Sequence, residues 1–347
     1  MTQTRGYAVL EAKALLVPFE FNRRELGAYD VGFDIDYSGI CHSDIHQARE
    51  EWGSALFPMV PGHEIVGTVT KVGAAVTKFK TGDKIGVGVF IDSCRNCDNC
   101  RRGLQQYCFE GMTGTYNGYE RNSQNIAFGG YSNYFVINED YAVHIPANLD
   151  LAGVAPLLCA GITLYSPIRH WKVGENSKVA IMGLGGLGHM GVKFAAALGA
   201  EVTVLSHSPA KEKDAKAMGA HHFVVTRDDE WQKPLKKKFD LILNTVSADL
   251  DLEPYLSTLT TDGTLVIIGL PGKPYSFSAG TMLDGRRSIA GSMIGGMPEL
   301  QEMINFCGEK QIVSDVEVIA PDYINKAYER TVASDVKYRF VIDARKF

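Results

Sequence analysis

Long apolar runs are missing from this chain. None reaches the roughly 18 residues that a membrane-crossing helix needs, and no leader of the secretory type, a short basic stretch followed by an apolar one, is present. No membrane partner is expected, and a reducing, cytoplasmic setting is. Basic runs are missing too. Lys236-Lys237-Lys238 reads as a solvated face, and the formal net charge is −5, so no nucleic-acid partner is expected. No internal repeat or low-complexity segment is found.

Glycine is in surplus, at 36 of 347 residues against a usual share of about 7%. That surplus points to tight turns and close backbone approaches. The chain is 45% hydrophobic, enough for two domain cores of ordinary size.

Four of the seven cysteines fall in one short loop: Cys94-Arg-Asn-Cys97-Asp-Asn-Cys100 and, after seven more residues, Cys108. Four thiolates at this spacing can close tetrahedrally on one zinc ion, which leaves the metal no open position and makes it structural. Disulfides would need an oxidising compartment. An iron–sulfur cluster prefers a short final gap followed by proline, and here Phe109 follows. Four unrelated buried thiols do not suit so polar a stretch.

Two styles of sequence alternate. Between 31 and 146, short glycine-punctuated apolar runs at 31–40, 64–72, 84–90 and 131–137 predict a compact, mainly antiparallel β domain. After Pro156, strands at 178–182, 201–205, 223–225, 239–244, 265–269 and 288–294 are expected. Helices at 189–198 and 210–218 fall among them, which predicts a parallel sheet with right-handed crossovers. A helix at 299–307 and a strand at 338–343 follow.

Gly183-Leu184-Gly185-Gly186-Leu187-Gly188 comes directly after the 178–182 strand and opens the next helix. A lone G-x-G-x-x-G is weak evidence, but this context is the one a dinucleotide site requires. The glycines permit the turn and the approach of a pyrophosphate, and the helix N-terminus supplies N–H groups. An NAD site places a carboxylate at the end of the second strand. This chain instead reads Leu205-Ser206-His207-Ser208-Pro209-Ala210-Lys211. Hydroxyls and a cation there suit a 2′-phosphate, so NADPH is expected over NADH; the alternative is a solvated turn that tolerates both.

Further zinc-type ligands occur in Cys41-His42-Ser43-Asp44-Ile45-His46, in Gly62-His63-Glu64 and at Cys159. Three protein ligands and one open position would make a catalytic zinc, but spacing alone does not join these segments, and a lone Cys is most often a small buried hydrophobe. Their order, with Gly62–Gly67, the four-cysteine loop and Gly183–Gly188, resembles the zinc-dependent medium-chain alcohol dehydrogenases. More narrowly it resembles the cinnamyl-alcohol-dehydrogenase branch, which includes bacterial NADPH-dependent aldehyde reductases. Supporting strings are Glu51-Trp52-Gly53, Met112-Thr-Gly-Thr-Tyr116, Gly129-Gly-Tyr-Ser132, Ala155-Pro-Leu-Leu-Cys159-Ala-Gly-Ile-Thr163, Gly291-Ser-Met-Ile-Gly295 and Tyr338-Arg-Phe-Val-Ile-Asp343.

The resemblance implies a GroES-like catalytic domain over 1–150, completed by 296–347, and an NADP-binding Rossmann domain with a doubly wound parallel sheet over 151–295. It implies NADP(H) and two Zn²⁺ per chain. One zinc would be held by Cys41, His63 and Cys159, with the role of Glu64 open and Asp44 orienting His63; the other by Cys94, Cys97, Cys100 and Cys108. Besides the glycine motif, Ser206, His207, Ser208 and Lys211, the cofactor residues implied are Thr163, Thr245, Gly269, Ser292, Met293 and Ile294. Trp52, Leu56 and Met293 are implied as pocket walls, which would favour aromatic or medium aliphatic aldehydes; each is equally compatible with ordinary core. Zinc would polarise the aldehyde oxygen and the nicotinamide would supply hydride. Ser43 and His46 would pass the proton, unless His46 is simply a half-exposed histidine. His189 follows the glycine motif, where it faces the phosphates or simply begins the helix, and Cys307 is expected as a buried thiol.

Relatives of this kind are usually homodimers joined near 287–294. The expected activity is reversible aldehyde reduction. The competing readings are an NAD-linked alcohol or polyol dehydrogenase, a zinc-ribbon interaction module, and an inactive cofactor-binding structural protein. The missing carboxylate near Ser206 argues against the first, and net acidity against the second. The intact ligands and hydroxyl–histidine pair argue against the third.

Overall fold

The computed structural model describes all 347 residues. They form two compact units, Met1–Ile162 together with Gly295–Phe347, and Thr163–Ile294.

The first unit is built on a seven-stranded sheet. Its order is Val143–His144, Lys84–Val87, Ile65–Val72, Asp30–Gly39, Arg339–Asp343 and Val316–Ile319, with Tyr134–Asn138 also paired to Asp30–Gly39. All pairs are antiparallel except the last two strands in that order, which run parallel. Val31, Phe33 and Ile35 alternate into the core of Asp30–Gly39, the period-2 pattern of a half-buried strand. Register shifts at Gly32/Phe33 and Ile35/Tyr37 let this one strand exchange partners along its length. A hairpin of Thr2–Ala8 and Val17–Arg23 was not anticipated, because its apolar alternation is interrupted by charge.

The second unit holds six parallel strands in the order His222–Val225, Glu201–Ser206, Lys178–Met182, Phe239–Asn244, Leu259–Ile267 and Ser288–Gly291. The order reverses beside Lys178–Met182, so this is a doubly wound sheet whose switch point lies at the C-terminal end of that strand.

Several expected boundaries move. The first domain boundary falls at Ile162/Thr163 instead of 150/151. The helix Leu151–Val154 and the 3₁₀ turn Ala155–Leu158 belong with the antiparallel sheet, where a Cβ on Gly88 would lie 2.8 Å from the Leu158 carbonyl. The run at 84–90 is two strands, Lys84–Val87 and Phe90–Asp92, broken at that same glycine. The helix expected at 210–218 is a 3₁₀ turn Pro209–Lys211 followed by the helix Glu212–Ala217. The strand expected from 265 already begins at Leu259; Thr260, Asp262 and Gly263 made its start look like a turn. No single helix is long and apolar enough to cross a membrane. The bent pair Leu151–Leu158 and Ala160–His170, apolar enough together, is mostly buried in the fold.

Candidate active site

Two groups of metal-type ligands converge, both in the first unit. In the loop, the sulfurs of Cys94, Cys97, Cys100 and Cys108 all lie within 4.8 Å of one another, and none is in a disulfide. Backbone amides donate to these sulfurs: Cys97 N to Cys94 Sγ at 3.3 Å, Cys94 N to Cys108 Sγ at 3.4 Å, and Phe109 N to Cys97 Sγ at 3.5 Å. Amides aimed at sulfur favour thiolates; Phe109 N above all holds the Cys97 thiol down at about 6. Ser93 Oγ sits 3.1 Å from Cys100 Sγ.

The second group is Cys41, His63, Glu64 and Cys159, all buried, with one ligand atom of each within 4.8 Å of the others. Cys41 precedes the helix His42–Ala48 as its N-cap, and Asp44 at N3 reaches back to accept from Cys41 N at 2.9 Å. His63 and Glu64 lead into the strand Ile65–Val72. They follow Gly62, whose φ of +103° suits glycine and whose Cβ would collide with Tyr131. Cys159 ends the 3₁₀ turn Ala155–Leu158 and brings its sulfur to 4.0 Å from that of Cys41.

These four side chains fit a zinc ion on their own chemistry. His63 Nδ1 donates to Asp44 Oδ1 at 3.0 Å, a tautomer assigned from the hydrogen-bond network. That leaves His63 Nε2 buried with no partner. Glu64 Oε1 accepts from Arg339 Nη2, and its Oε2 is a second buried atom with no partner. Two orphaned acceptors beside two thiols are the groups a borderline-soft divalent cation satisfies. Within the thiol pair, the Cys159 hydrogen bond holds Cys41 well below its ordinary range, and the same bond holds Cys159 well above. Burial pulls His63 down, but Asp44 and Cys41 together outweigh it and leave the imidazole raised. Burial pushes Glu64 up to about 8 against the pull of Arg339. A cation among these atoms would reverse that and favour the carboxylate.

Ser43 Oγ lies 3.5 Å from Cys41 Sγ. His46, half-buried on the same helix, pairs through Nδ1 with Glu51 and stacks on Trp52 with ring centroids 4.7 Å apart. Trp52 is exposed and Leu56 half-buried, so neither is ordinary core; Met293, in the second unit, is exposed.

The residues expected at a dinucleotide all lie in the second unit. Gly183 has φ +84° and its N–H donates to Leu205 O at 2.8 Å. A Cβ on Gly188, the first residue of the helix Gly188–Ala197, would sit 2.0 Å from Gly183 O, whereas one on Gly185 meets nothing within 4 Å. Gly188 therefore serves the close helix–strand approach, while the space beside Gly185 is open. Leu184 is buried, with Gly186 and Leu187 half-buried in the turn. Lys211 Nζ donates to Leu184 O at 2.8 Å, which ties the turn after the second strand to the glycine loop. Ser206 is buried and its Oγ accepts from Ser208 N, while His207 is exposed. Thr245 Oγ1 donates to Met182 O, Gly269 N to Asn244 O, and Ser292 N to Ile267 O, so these three stand at strand ends. Thr163 is buried in the helix Ala160–His170, and Ile294 is buried at φ +40°. His189 is fully buried, with Nδ1 3.2 Å from Gly185 O. Cys307 is fully buried.

Arg339, Tyr131 and Glu51 touch the site and were not singled out. Arg339 and Tyr131 lie in strings noted only as similarity, 275 residues from Glu64 and 87 from Asp44 respectively, and no local pattern links such distances.

Residues 27–147 match the alcohol dehydrogenase GroES-like domain family and 186–309 the zinc-binding dehydrogenase family. The chain belongs to the zinc-binding alcohol dehydrogenases. It is 54% identical over 344 residues to NADP-dependent alcohol dehydrogenase C 1 of Mycolicibacterium smegmatis, covering 99% of this chain and 98% of that one. It is 50% identical to aldehyde reductase YahK of Escherichia coli, covering 98% of both. Among solved structures, a cinnamyl alcohol dehydrogenase of Sorghum bicolor superposes with a TM-score of 0.95 at 42% identity, covering 99% of this chain and 98% of that one.

Proposed function

We infer that this protein is an NADP(H)-dependent zinc oxidoreductase that interconverts aldehydes and primary alcohols. The orphaned His63 Nε2, set with Glu64 Oε2 beside the buried sulfurs of Cys41 and Cys159, carries the reading, because the fold offers it no partner and a divalent cation there would. When bound there, zinc supplies Lewis acidity toward a carbonyl oxygen, and NADPH supplies the hydride. Cys41, His63 and Cys159 are the ligands we assign, with Glu64 available as a fourth, and Cys94, Cys97, Cys100 and Cys108 hold the structural ion.

The chain's own residues divide the remaining work. Asp44 fixes the His63 tautomer and keeps Nε2 toward the metal. Ser43, two residues from a ligand, offers a hydroxyl to the substrate oxygen. His46 is the proton carrier on the same helix, with Glu51 holding its Nδ1 and leaving Nε2 for exchange. His46→Gln is expected to change the pH–rate profile, and an unaltered profile defeats this role. The turn 206–211 offers hydroxyls and Lys211 to the 2′-phosphate. Similarity to relatives named aldehyde reductase and cinnamyl alcohol dehydrogenase supports aromatic and medium aliphatic aldehydes, met in the first unit by Trp52 and Leu56.

We place the protein in the cytoplasm as a homodimer. Ser288–Gly291 is an edge strand with its outer backbone unpaired, a surface a second copy can extend. The activity is tested by following NADPH and NADH absorbance with an aldehyde panel alongside a zinc count. Turnover that favours NADPH, with two zinc ions per chain, is expected; no turnover with any aldehyde, or a single zinc, overturns the reading.

A further inference from the structure

Asp44 is fully buried and accepts four hydrogen bonds, two on each oxygen. Oδ1 takes Gly62 N at 3.1 Å and His63 Nδ1 at 3.0 Å; Oδ2 takes Cys41 N at 2.9 Å and the Tyr131 hydroxyl at 3.0 Å. Three of these donors sit on or beside metal ligands in sequence. The fourth, Tyr131, comes from a different part of the chain and is itself fully buried.

Tyr131 grips the ligand segment twice. Its backbone belongs to a short ladder in which Gly129 N donates to Val60 O, Gly130 N to Gly62 O and Tyr131 N to Pro61 O. Those acceptors are the three residues directly before His63. The ladder is set from behind by Arg23, a buried guanidinium that donates to the carbonyls of Phe128, Gly129 and Tyr134 and to Ser132 Oγ. The Tyr131 side chain then turns inward to the carboxylate that holds the His63 ring. Beyond it, Tyr328 donates to the Tyr131 hydroxyl at 3.4 Å.

We propose that Tyr131 is a positioning residue of the catalytic metal site, acting through Asp44 on His63. Its hydroxyl draws electron density from Asp44 Oδ2. A carboxylate that loses this donor gains freedom to rotate, and the orientation of His63 Nε2 loosens with it. The ring packs the core whether or not the hydroxyl is present, so the two contributions separate in Tyr131→Phe. The inference rests on the catalytic-zinc reading above.

The test is the rate at which each class of zinc leaves for a chromogenic chelator, read as two phases per chain. In the unaltered protein two ions per chain are expected, and a count of one removes both the zinc reading and this inference. In Tyr131→Phe the catalytic-site phase is expected to accelerate severalfold, below the roughly tenfold or more that follows loss of a ligand's own hydrogen-bond partner, because Asp44 stays in place. The four-cysteine phase serves as an internal reporter of folding and stays unchanged. Tyr328→Phe, one hydroxyl further out, is expected to release both ions as the unaltered protein does. With cobalt in the catalytic site, the Tyr131→Phe visible spectrum should shift while that of Tyr328→Phe does not. Unchanged release and spectrum in Tyr131→Phe overturn the proposal with two zincs still in place. Equal acceleration of both phases, or the same acceleration in Tyr328→Phe, overturns it by reducing the effect to general loosening.

Discussion

An added methyl group separates the two uses of glycine in the turn 183–188. Gly188→Ala would put a Cβ 2.0 Å from the Gly183 carbonyl, so helix and strand must move apart, at about 1–3 kcal/mol. Gly185→Ala meets nothing within 4 Å and should leave stability within about 0.5 kcal/mol. Both should weaken NADPH binding, one by displacing the helix and the other by filling that open space. Urea unfolding beside NADPH fluorescence titration distinguishes them, and equal stability losses would count against this division. At the metal, Arg339 is the buried counter-charge to Glu64. Arg339→Met removes the partner of Glu64, whose buried carboxyl then takes up a proton, and should cost about 1–3 kcal/mol. Adding Glu64→Gln should recover much of it in a double-mutant cycle, and strictly additive losses would argue against a working ion pair.

In the proposed cofactor site, the turn that follows Glu201–Ser206 is assigned the choice of nicotinamide. Ser206→Asp would set a carboxylate where the second strand ends. It should lower the ratio of kcat/KM for NADPH over NADH at least about tenfold, the equivalent of 1.4 kcal/mol, and an unchanged ratio would remove Ser206 from the assignment. This element was legible because its signal is local: glycines, a strand, a helix, and an absent acid within some twenty residues. The four-cysteine loop was legible for the same reason. Cys41, His63 and Cys159 were joined only through likeness to a family, since three sheet and turn segments deliver them and no periodicity connects those segments. Polar residues at Thr260–Gly263 hid the first half of a strand whose register depends on pairing with Phe239–Asn244. Tertiary pairing there overrides local turn chemistry.

In the whole molecule, the first unit is discontinuous in sequence and the second is not. Arg339–Asp343 is an interior strand of the first unit's sheet, paired on both sides to Asp30–Gly39 and Val316–Ile319. Every strand of the six-stranded sheet lies within Thr163–Ile294. Removing residues 339–347 should therefore unfold the first unit and leave a protease-resistant core near 163–294, as seen by limited proteolysis and mass spectrometry. Survival of the zinc count in that truncated chain would contradict the sheet's dependence on its inserted strand. The domain class was readable from the switch between apolar styles. The boundary was not, because Leu151–Leu158 is as apolar as the unit that follows while it packs on the unit before. The late strand also sets an order of assembly at the ribosome. The four-cysteine loop is complete once Cys108 has emerged, so its ion can be loaded early. Cys41, His63 and Cys159 are all made long before Arg339 brings the charge that balances Glu64. The proposed catalytic site would therefore mature last, and a nascent chain that stalls before that arginine would carry the four-cysteine ion without a finished reaction centre.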